Sequence, residues 1–208
     1  MYFDEDLVLE VRLNLLNKYV DYFVIVESKY NHKGEPKKLN FNIKNFKNFE
    51  KKIIYLVYDQ EPSDLYKFEK KDTQPVISSK YIFNAGKREN GQRNFISEGL
   101  KDSSSEDIII ISDVDEIPNL KEVNLNTIKN EIIIFRQEMF YYKFNLKLPN
   151  FKWTGSKACR MKNLKNPQWL RNIKDKKFSF YRLDTFFSDT KYRNLSIIEN
   201  GGWHYTNI

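Results

Sequence analysis

The sequence has a single cysteine, Cys159, and no apolar run that approaches the ~20 residues a membrane-spanning helix needs. One cysteine excludes an intramolecular disulfide framework and favours a reducing compartment. The N-terminus, Met-Tyr-Phe-Asp-Glu-Asp, lacks the basic-then-apolar order of a secretory signal peptide. We therefore expect a cytoplasmic protein with no membrane span.

The sequence also lacks a zinc-finger pattern, an RNA-binding signature and a basic heptad helix, which argues against a nucleic-acid module. The chain is nevertheless basic, with a net charge of +7. Its lysines are widely spread, so a solvated surface is the simplest interpretation. The functional alternative is attraction to a polyanion, a membrane surface or a phosphate-bearing substrate.

Length and hydrophobic spacing predict one α/β domain covering residues 1–208. The first helix would be capped by Asp4, with Leu7, Val8, Val11, Leu15 and Leu16 at helical spacing. Glu10 and Arg12 fall among them; surface charge is one interpretation of both, and it is favoured for Glu10. The other predicted elements are strands at 19–27, 53–58, 108–111 and 132–135, helices at 87–100 and from 118 to 129, and an alternating strand at 140–148. Residues 59–84 are expected to form a long excursion, and Gly91 to mark a close approach of a ligand.

The most informative stretch runs from Asp107 to Pro118. Four isoleucines, 108–111, suit a central strand covered on both faces, as in a parallel sheet. Acidic side chains at 113, 115 and 116 follow directly, at the sheet edge where α/β proteins bind ligands. Carboxylates placed there can hold Mg²⁺ or Mn²⁺. The alternative is an ordinary turn, because Asp is a common turn residue and an Asp-x-Asp pair alone is a weak signal.

Five sequence blocks, in order over nearly the whole chain, resemble glycosyltransferase family 17. They are Leu9–Asn14, Phe23–Glu27 with His32-x-Gly34-x-Pro36-Lys37, Arg88–Asn94, Ile111–Pro118 and Gly201–His204. The resemblance implies a GT-A-like (Rossmann-like) α/β/α sandwich with a central mixed, mainly parallel sheet. It also implies an inverting transferase that moves a sugar, N-acetylglucosamine in particular, from a UDP-sugar donor to a glycan acceptor.

The resemblance further implies roles for individual residues. Asp113 and Asp115 would form a DxD motif whose Mn²⁺ or Mg²⁺ ion stabilises the leaving diphosphate. His204 would be a third metal ligand, and its alternative is a polar residue packed against Trp203. The general base stays open: Glu116 is placed first because it adjoins the metal pair, and the other candidates are Glu138, Asp184 and Glu199.

Donor contacts are expected from a second set of residues. Besides Asp113, it comprises Glu27, Arg88, Gln92 and Arg93, with His32 and Lys37 at the same rim. For the arginines the alternative is solvation with pairing to neighbouring acids on the helix.

Relative to the family, the chain is expected to be short at both ends, with only residues 1–3 for a first strand and an end at residue 208. Two other functions remain open. One is a two-metal nucleotidyltransferase or phosphoesterase, and the other is a non-catalytic sugar- or polyanion-binding module. The acceptor pocket is expected in the loops at 59–84 and 165–195, and the acceptor and the oligomeric state stay undetermined.

Overall fold

The computed structural model describes residues 1–121, 123–176, 178–179, 181–192 and 194–207. Its helices are α1 (Asp6–Leu16), α2 (Gln74–Asn94) and α3 (Pro167–Asn172). Its strands are β1 (Phe23–Ser28), β2 (Ile53–Tyr58), β3 (Ile108–Ile111), β4 (Glu116–Pro118), β5 (Ile132–Phe135), β6 (Gln137–Tyr141), β7 (Lys147–Trp153), β8 (Lys157–Arg160), β9 (Leu195–Ile198) and β10 (Gly202–Thr206). The predicted α/β class with mixed sheets is confirmed.

The chain forms two compact units. The first comprises Met1–Asp4 and Tyr22–Lys101, and the second comprises Glu5–Asp21 and Asp102–Ile208. A single domain over residues 1–208 stays a prediction.

The first unit is built on a parallel pair, β1 and β2, which are in register from Phe23 opposite Ile53 to Ser28 opposite Tyr58. Helix α2 begins at Gln74, so the second part of the predicted excursion at 59–84 is helical. Pro75 had favoured the excursion, because proline breaks the interior of a helix. Here it lies in the first turn of α2, where proline is favoured. Gly91 does mark a close approach, but the neighbour is the hydroxyl of Tyr58, which a Cβ there would strike.

The second unit contains two four-stranded mixed sheets, in the orders β4-β10-β6-β7 and β3-β8-β5-β9. Each sheet has one parallel pair, β10 with β6 and β5 with β9, and its other pairs are antiparallel. The prediction of a mainly parallel sheet is therefore wrong for this unit. Strand β3 lies at a sheet edge and pairs antiparallel with β8. The isoleucine run correctly predicted a strand, but a short apolar run does not determine the position of a strand within a sheet.

The alternating strand predicted at 140–148 is a hairpin rather than one strand. Strands β6 and β7 turn between Tyr141 and Lys147, and Tyr142 adopts a positive φ of 58°. The helix expected from 118 to 129 is also wrong among the described residues, where only a 3₁₀ turn forms, at Leu125–Thr127. In both places turn-forming residues interrupt an apolar pattern that continues on either side.

Helix α1 belongs to the second unit and buries one face. Its buried residues are Val8, Leu9, Leu13 and Leu16. Leu7 and Leu15, which were expected on this face, are 59% and 44% exposed. The residue that precedes the helix is Glu5, whose side chain caps nothing, so the predicted cap at Asp4 is wrong. Arg12 lies three residues after Leu9 and four before Leu16, so its side chain is next to the buried face of α1.

Candidate active site

The acidic stretch folds into a tight turn between β3 and β4. The Glu116 amide donates to the Asp113 carbonyl at 3.1 Å, which closes the turn. The turn therefore contains three carboxylates within four residues: Asp113, Asp115 and Glu116. Strand β4 then pairs antiparallel with β10, and this register sets His204 opposite Glu116. The Tyr205 amide donates to the Asp115 carbonyl at 2.9 Å. Pairing of β4 with β10 therefore brings the end of the chain to the acidic turn.

The Glu116 carboxylate is buried, with 1% of the residue exposed, and it accepts hydrogen bonds from three residues. The Trp153 indole N–H donates at 2.5 Å and the Asp113 amide at 3.0 Å. The Arg171 guanidinium donates to both carboxylate oxygens, at 2.6 and 3.0 Å. These contacts anchor Arg171 to Glu116, and the role of Glu116 as general base stays a prediction.

Arg171 connects two of the three carboxylates. Its Nη2 also donates to Asp113 Oδ2 at 2.8 Å, so one guanidinium spans Asp113 and Glu116. Burial by itself would lower the pKa of Arg171, but the charges of Glu116 and Asp113 outweigh it and raise that pKa. The side chain is 11% exposed. Arg171 is therefore a fixed positive charge behind the turn.

Lys157 on β8 holds the end of the helix that carries Arg171. Its buried ammonium donates to the carbonyls of Arg171 and Ile173, both at 2.5 Å. These are the last carbonyls of α3, which lack partners within the helix. Burial, and then the charge of Arg171, lower the pKa of Lys157 to about 8. Lys157 thus stabilises the position from which Arg171 reaches the acidic turn.

Arg12 supports the turn from α1. Its guanidinium donates to the Asp113 carbonyl at 3.1 Å and also to the Glu116 carbonyl. Desolvation lowers the pKa of Arg12, and the neighbouring carboxylates, Glu116 first, oppose that effect. Because it binds main-chain oxygens, Arg12 fixes the path of the turn while adding a second positive charge.

Asp115 faces the His204 side chain. The distance from His204 Nε2 to Asp115 Oδ2 is 3.1 Å, and the imidazole stacks on the Trp153 ring at 4.9 Å between centroids. His204 is 6% exposed, and its Nδ1 atom has no hydrogen-bond partner among the described residues. Asp113 and Asp115 keep 26% and 29% of their side chains exposed, so both are accessible from solvent.

The donor chemistry of the turn fits a hard divalent cation, since two accessible carboxylates lie two residues apart. Asp115 and His204 are brought together as predicted, whereas an Asp113 oxygen is engaged by Arg171. Among the residues that the structure describes, no group of three or more His, Cys, Asp or Glu side chains is arranged to hold a metal. The three-ligand set of Asp113, Asp115 and His204 therefore stays a prediction.

Glu27, a predicted donor contact, lies in the first unit and is fully buried. It accepts from Lys37 Nζ at 2.6 Å, from Tyr55 Oη at 2.8 Å, and from the amides of Asn40 and Phe41 at 2.7 and 3.1 Å. Burial would raise the pKa of Glu27, but these bonds hold it below its usual range. The observed role of Glu27 and Lys37 is to fix the loop after β1.

The other predicted donor contacts, also in the first unit, have protein partners. Arg88 pairs with both oxygens of Glu61 and donates to the His32 carbonyl at 3.2 Å. Gln92 donates to the Val26 carbonyl at 2.9 Å, and buried Arg93 pairs with Glu89 at 2.7 Å. Donor binding by these three side chains stays a prediction.

The remaining general-base candidates are ion-paired. Glu138 contacts Lys147 and Lys152, Asp184 contacts Arg182 and Lys191, and Glu199 contacts Arg136. None of them makes a described contact with the acidic turn. Their surroundings single out no base.

Sequence reasoning missed Arg12, Trp153, Lys157 and Arg171. Only Arg12 had a local signal, because an arginine on the buried stripe of an amphipathic helix needs an internal partner. Trp153 lies 37 residues from Glu116, and Arg171 lies 55 and 58 residues from Glu116 and Asp113. Lys157 lies 14 and 16 residues from the two carbonyls that it binds at the end of α3.

The chain belongs to glycosyltransferase family 17, whose sequence model matches residues 1–172. The match includes Arg12, the acidic turn and Arg171, and it ends before the block that contains His204. No curated protein and no solved structure matches the chain. As a member of this family, the protein is a glycosyltransferase, which implies a sugar donor and an acceptor. Within the part of the chain described, none of the helices has the length and apolar character needed to cross a bilayer.

Proposed function

We propose that the protein is an inverting, divalent-metal-dependent transferase of GT-A type, which moves N-acetylglucosamine from UDP-N-acetylglucosamine to a glycan acceptor. The family match supports sugar transfer. The observation that carries the proposed chemistry is the acidic turn, where two accessible carboxylates, Asp113 and Asp115, are backed by buried, hydrogen-bonded charges.

The charges in the turn favour binding of the metal together with a nucleotide. Three carboxylates face the guanidinium groups of Arg12 and Arg171, which leaves one net negative charge when His204 is neutral. One net charge holds a divalent cation weakly, and the ion is normally shared with substrate phosphates. We therefore expect Mn²⁺ and UDP to bind synergistically at Asp115, with Asp113 as the second carboxylate.

When bound, the cation would neutralise charge that develops on the leaving diphosphate. The protein's own residues orient the ligands. Arg12 holds the main chain of the turn, and Arg171 donates hydrogen bonds to both Asp113 and Glu116. The stacked Trp153 ring fixes the imidazole of His204 against Asp115. Such preorganisation reduces the reorganisation needed at the moment of bond cleavage.

The same charge argument disfavours the two-metal alternative. Two divalent cations about 4 Å apart need a larger excess of carboxylate charge than the turn provides. A non-catalytic sugar- or polyanion-binding module would require no cation at Asp115, and a cation titration distinguishes it from the proposed enzyme.

The test is donor hydrolysis across UDP-, GDP- and CDP-sugars with and without Mn²⁺, for the wild type and Asp115→Ala. We expect Mn²⁺-dependent hydrolysis of UDP-N-acetylglucosamine that Asp115→Ala abolishes. Glu106→Ala is the matched control, because Glu106 lies before β3, at the other end of the strand. Among its described contacts it pairs only with half-buried Arg160 and exposed Lys162. Hydrolysis restricted to another nucleotide, or independent of added metal, would refute the proposal.

A further inference from the structure

A short segment of the second unit exposes large apolar side chains to water. We call it the aromatic turn, and its members are Tyr181 (87% exposed), Leu183 (70%), Phe186 (69%) and Phe187 (92%). Thr185, between them, is buried, and its hydroxyl donates to the Arg182 carbonyl at 2.7 Å. An inward anchor therefore holds a 3₁₀ turn at Leu183–Thr185 whose apolar side chains face solvent. Clustered exposed apolar groups of this kind mark binding surfaces.

Two cationic side chains lie in the same segment as the aromatic turn. Arg182 Cζ and Lys191 Nζ each lie 5.9 Å from the centroid of the Phe178 ring. Both also pair with Asp184, at 2.7 and 2.6 Å, so that the carboxylate is neutralised locally. Over residues 174–193 the sequence has six Lys or Arg against three Asp, and the whole chain has a net charge of +7. The segment that carries the exposed apolar groups thus has a net positive charge.

The chemistry of these side chains selects the partner. Leucine and phenylalanine carry no polar atom that could bind a sugar hydroxyl or a nucleotide by hydrogen bonding. Their transfer from water into an apolar phase is favourable in free energy. Apolar side chains beside Lys and Arg, with tyrosine at the rim, are typical of segments that enter the headgroup region of anionic membranes. We propose that the aromatic turn docks the protein on an anionic lipid surface, with Leu183, Phe186 and Phe187 at the boundary between headgroups and acyl chains.

A second copy of the chain fits this surface less well. Two identical positive surfaces repel each other, and four side chains offer far less than the ~1,200–2,000 Å² that stable protein interfaces bury. The aromatic turn also lies outside residues 1–172, which match the family. Membrane docking therefore does not rest on the proposed transfer reaction, and either can fail without the other.

Vesicle flotation tests the inference with the full chain. The vesicles contain either phosphatidylcholine alone or equal parts of phosphatidylcholine and phosphatidylglycerol. We expect the wild type to float with the anionic vesicles only. Phe186→Ser combined with Phe187→Ser should weaken that binding by about tenfold for each side chain. The matched control, Tyr22→Ser with Ile82→Ser, removes apolar groups that are 66% and 71% exposed in the other unit and should bind as the wild type does.

Three results would overturn the inference. One is a wild type that floats with neither kind of vesicle. Another is equal loss of flotation in the control pair, which would show non-specific adhesion. The third is dimerisation or binding of single-stranded nucleic acid that the Phe186–Phe187 pair of substitutions abolishes while vesicle binding is unchanged, which would assign the aromatic turn to a different partner. Circular dichroism melting checks that each variant is folded.

Discussion

Replacing Arg171 by methionine should strongly destabilise the second unit. The substitution keeps most of the side-chain volume but removes two hydrogen bonds to Glu116 and one to Asp113. Glu116 is 1% exposed and would keep only the Trp153 and Asp113 N–H donors. Breaking a buried ion pair on one side leaves an uncompensated charge, which costs about 3–5 kcal/mol. Since single domains are stable by ~5–15 kcal/mol, this is a large share of the total.

Urea unfolding followed by circular dichroism measures the effect, and a double-mutant cycle isolates the pair. Combining Arg171→Met with Glu116→Gln should cost less than the two single substitutions together, by about 1–3 kcal/mol. Arg182→Met is the control, because the Arg182–Asp184 pair is 54% and 41% exposed, and solvent screening leaves such a pair with little effect on stability. A loss below about 1 kcal/mol for Arg171→Met, or an additive cycle, would refute the assignment of Arg171 and Glu116 as a buried coupled pair.

Three other substitutions test the surroundings of the two buried carboxylates. Gly155→Ala would drive a Cβ into the Glu116 carboxylate and should cost about 1–3 kcal/mol in urea unfolding; an unchanged midpoint contradicts the packing. The pKa of Lys157 is lowered from 10.5 to about 8 in the folded chain. Between about pH 8 and pH 10.5 the Lys157 side chain is therefore protonated in the unfolded chain and neutral in the folded chain. Stability should therefore rise with pH across that window, by up to about 3 kcal/mol, and Lys157→Met should remove the rise; a variant with the same slope as the wild type contradicts it. Tyr55→Phe deletes the O–H donor to fully buried Glu27 and should cost about 1–2 kcal/mol, whereas a neutral effect would mean that the bond is replaced.

Local sequence patterns predicted the parts of the fold that depend on local interactions. Strand β2 was predicted with its observed ends, and β3 and β5 were located by their isoleucine runs. The turn after β3 was predicted as well, because Asp-rich sequence after an apolar run and before Pro118 has few other outcomes. What failed was sheet order: the pairing of β3 with β8 joins residues about fifty positions apart, and no local pattern encodes it.

The candidate site divides in the same way. The carboxylates of Asp113 and Asp115 were predicted, since chemistry and position coincide in one short motif. The groups that control them were not, because Arg171 and Trp153 reach the turn only through the folded arrangement of α3 and β7. Glu116 was predicted as a base from its position in the sequence, and that role stays a prediction. Its burial and its hydrogen bonds to Trp153 and Arg171 are properties of the folded chain that no local pattern encodes.

The central claim is that the acidic turn binds a divalent cation together with a nucleotide diphosphate through Asp115. Isothermal titration of UDP, with and without Mn²⁺, measures this directly in the wild type, in Asp115→Ala and in the Glu106→Ala control. The account predicts Mn²⁺-dependent UDP binding that Asp115→Ala eliminates and Glu106→Ala retains, with weak Mn²⁺ binding when UDP is absent. UDP binding of equal affinity without Mn²⁺, or unchanged in Asp115→Ala, would contradict it.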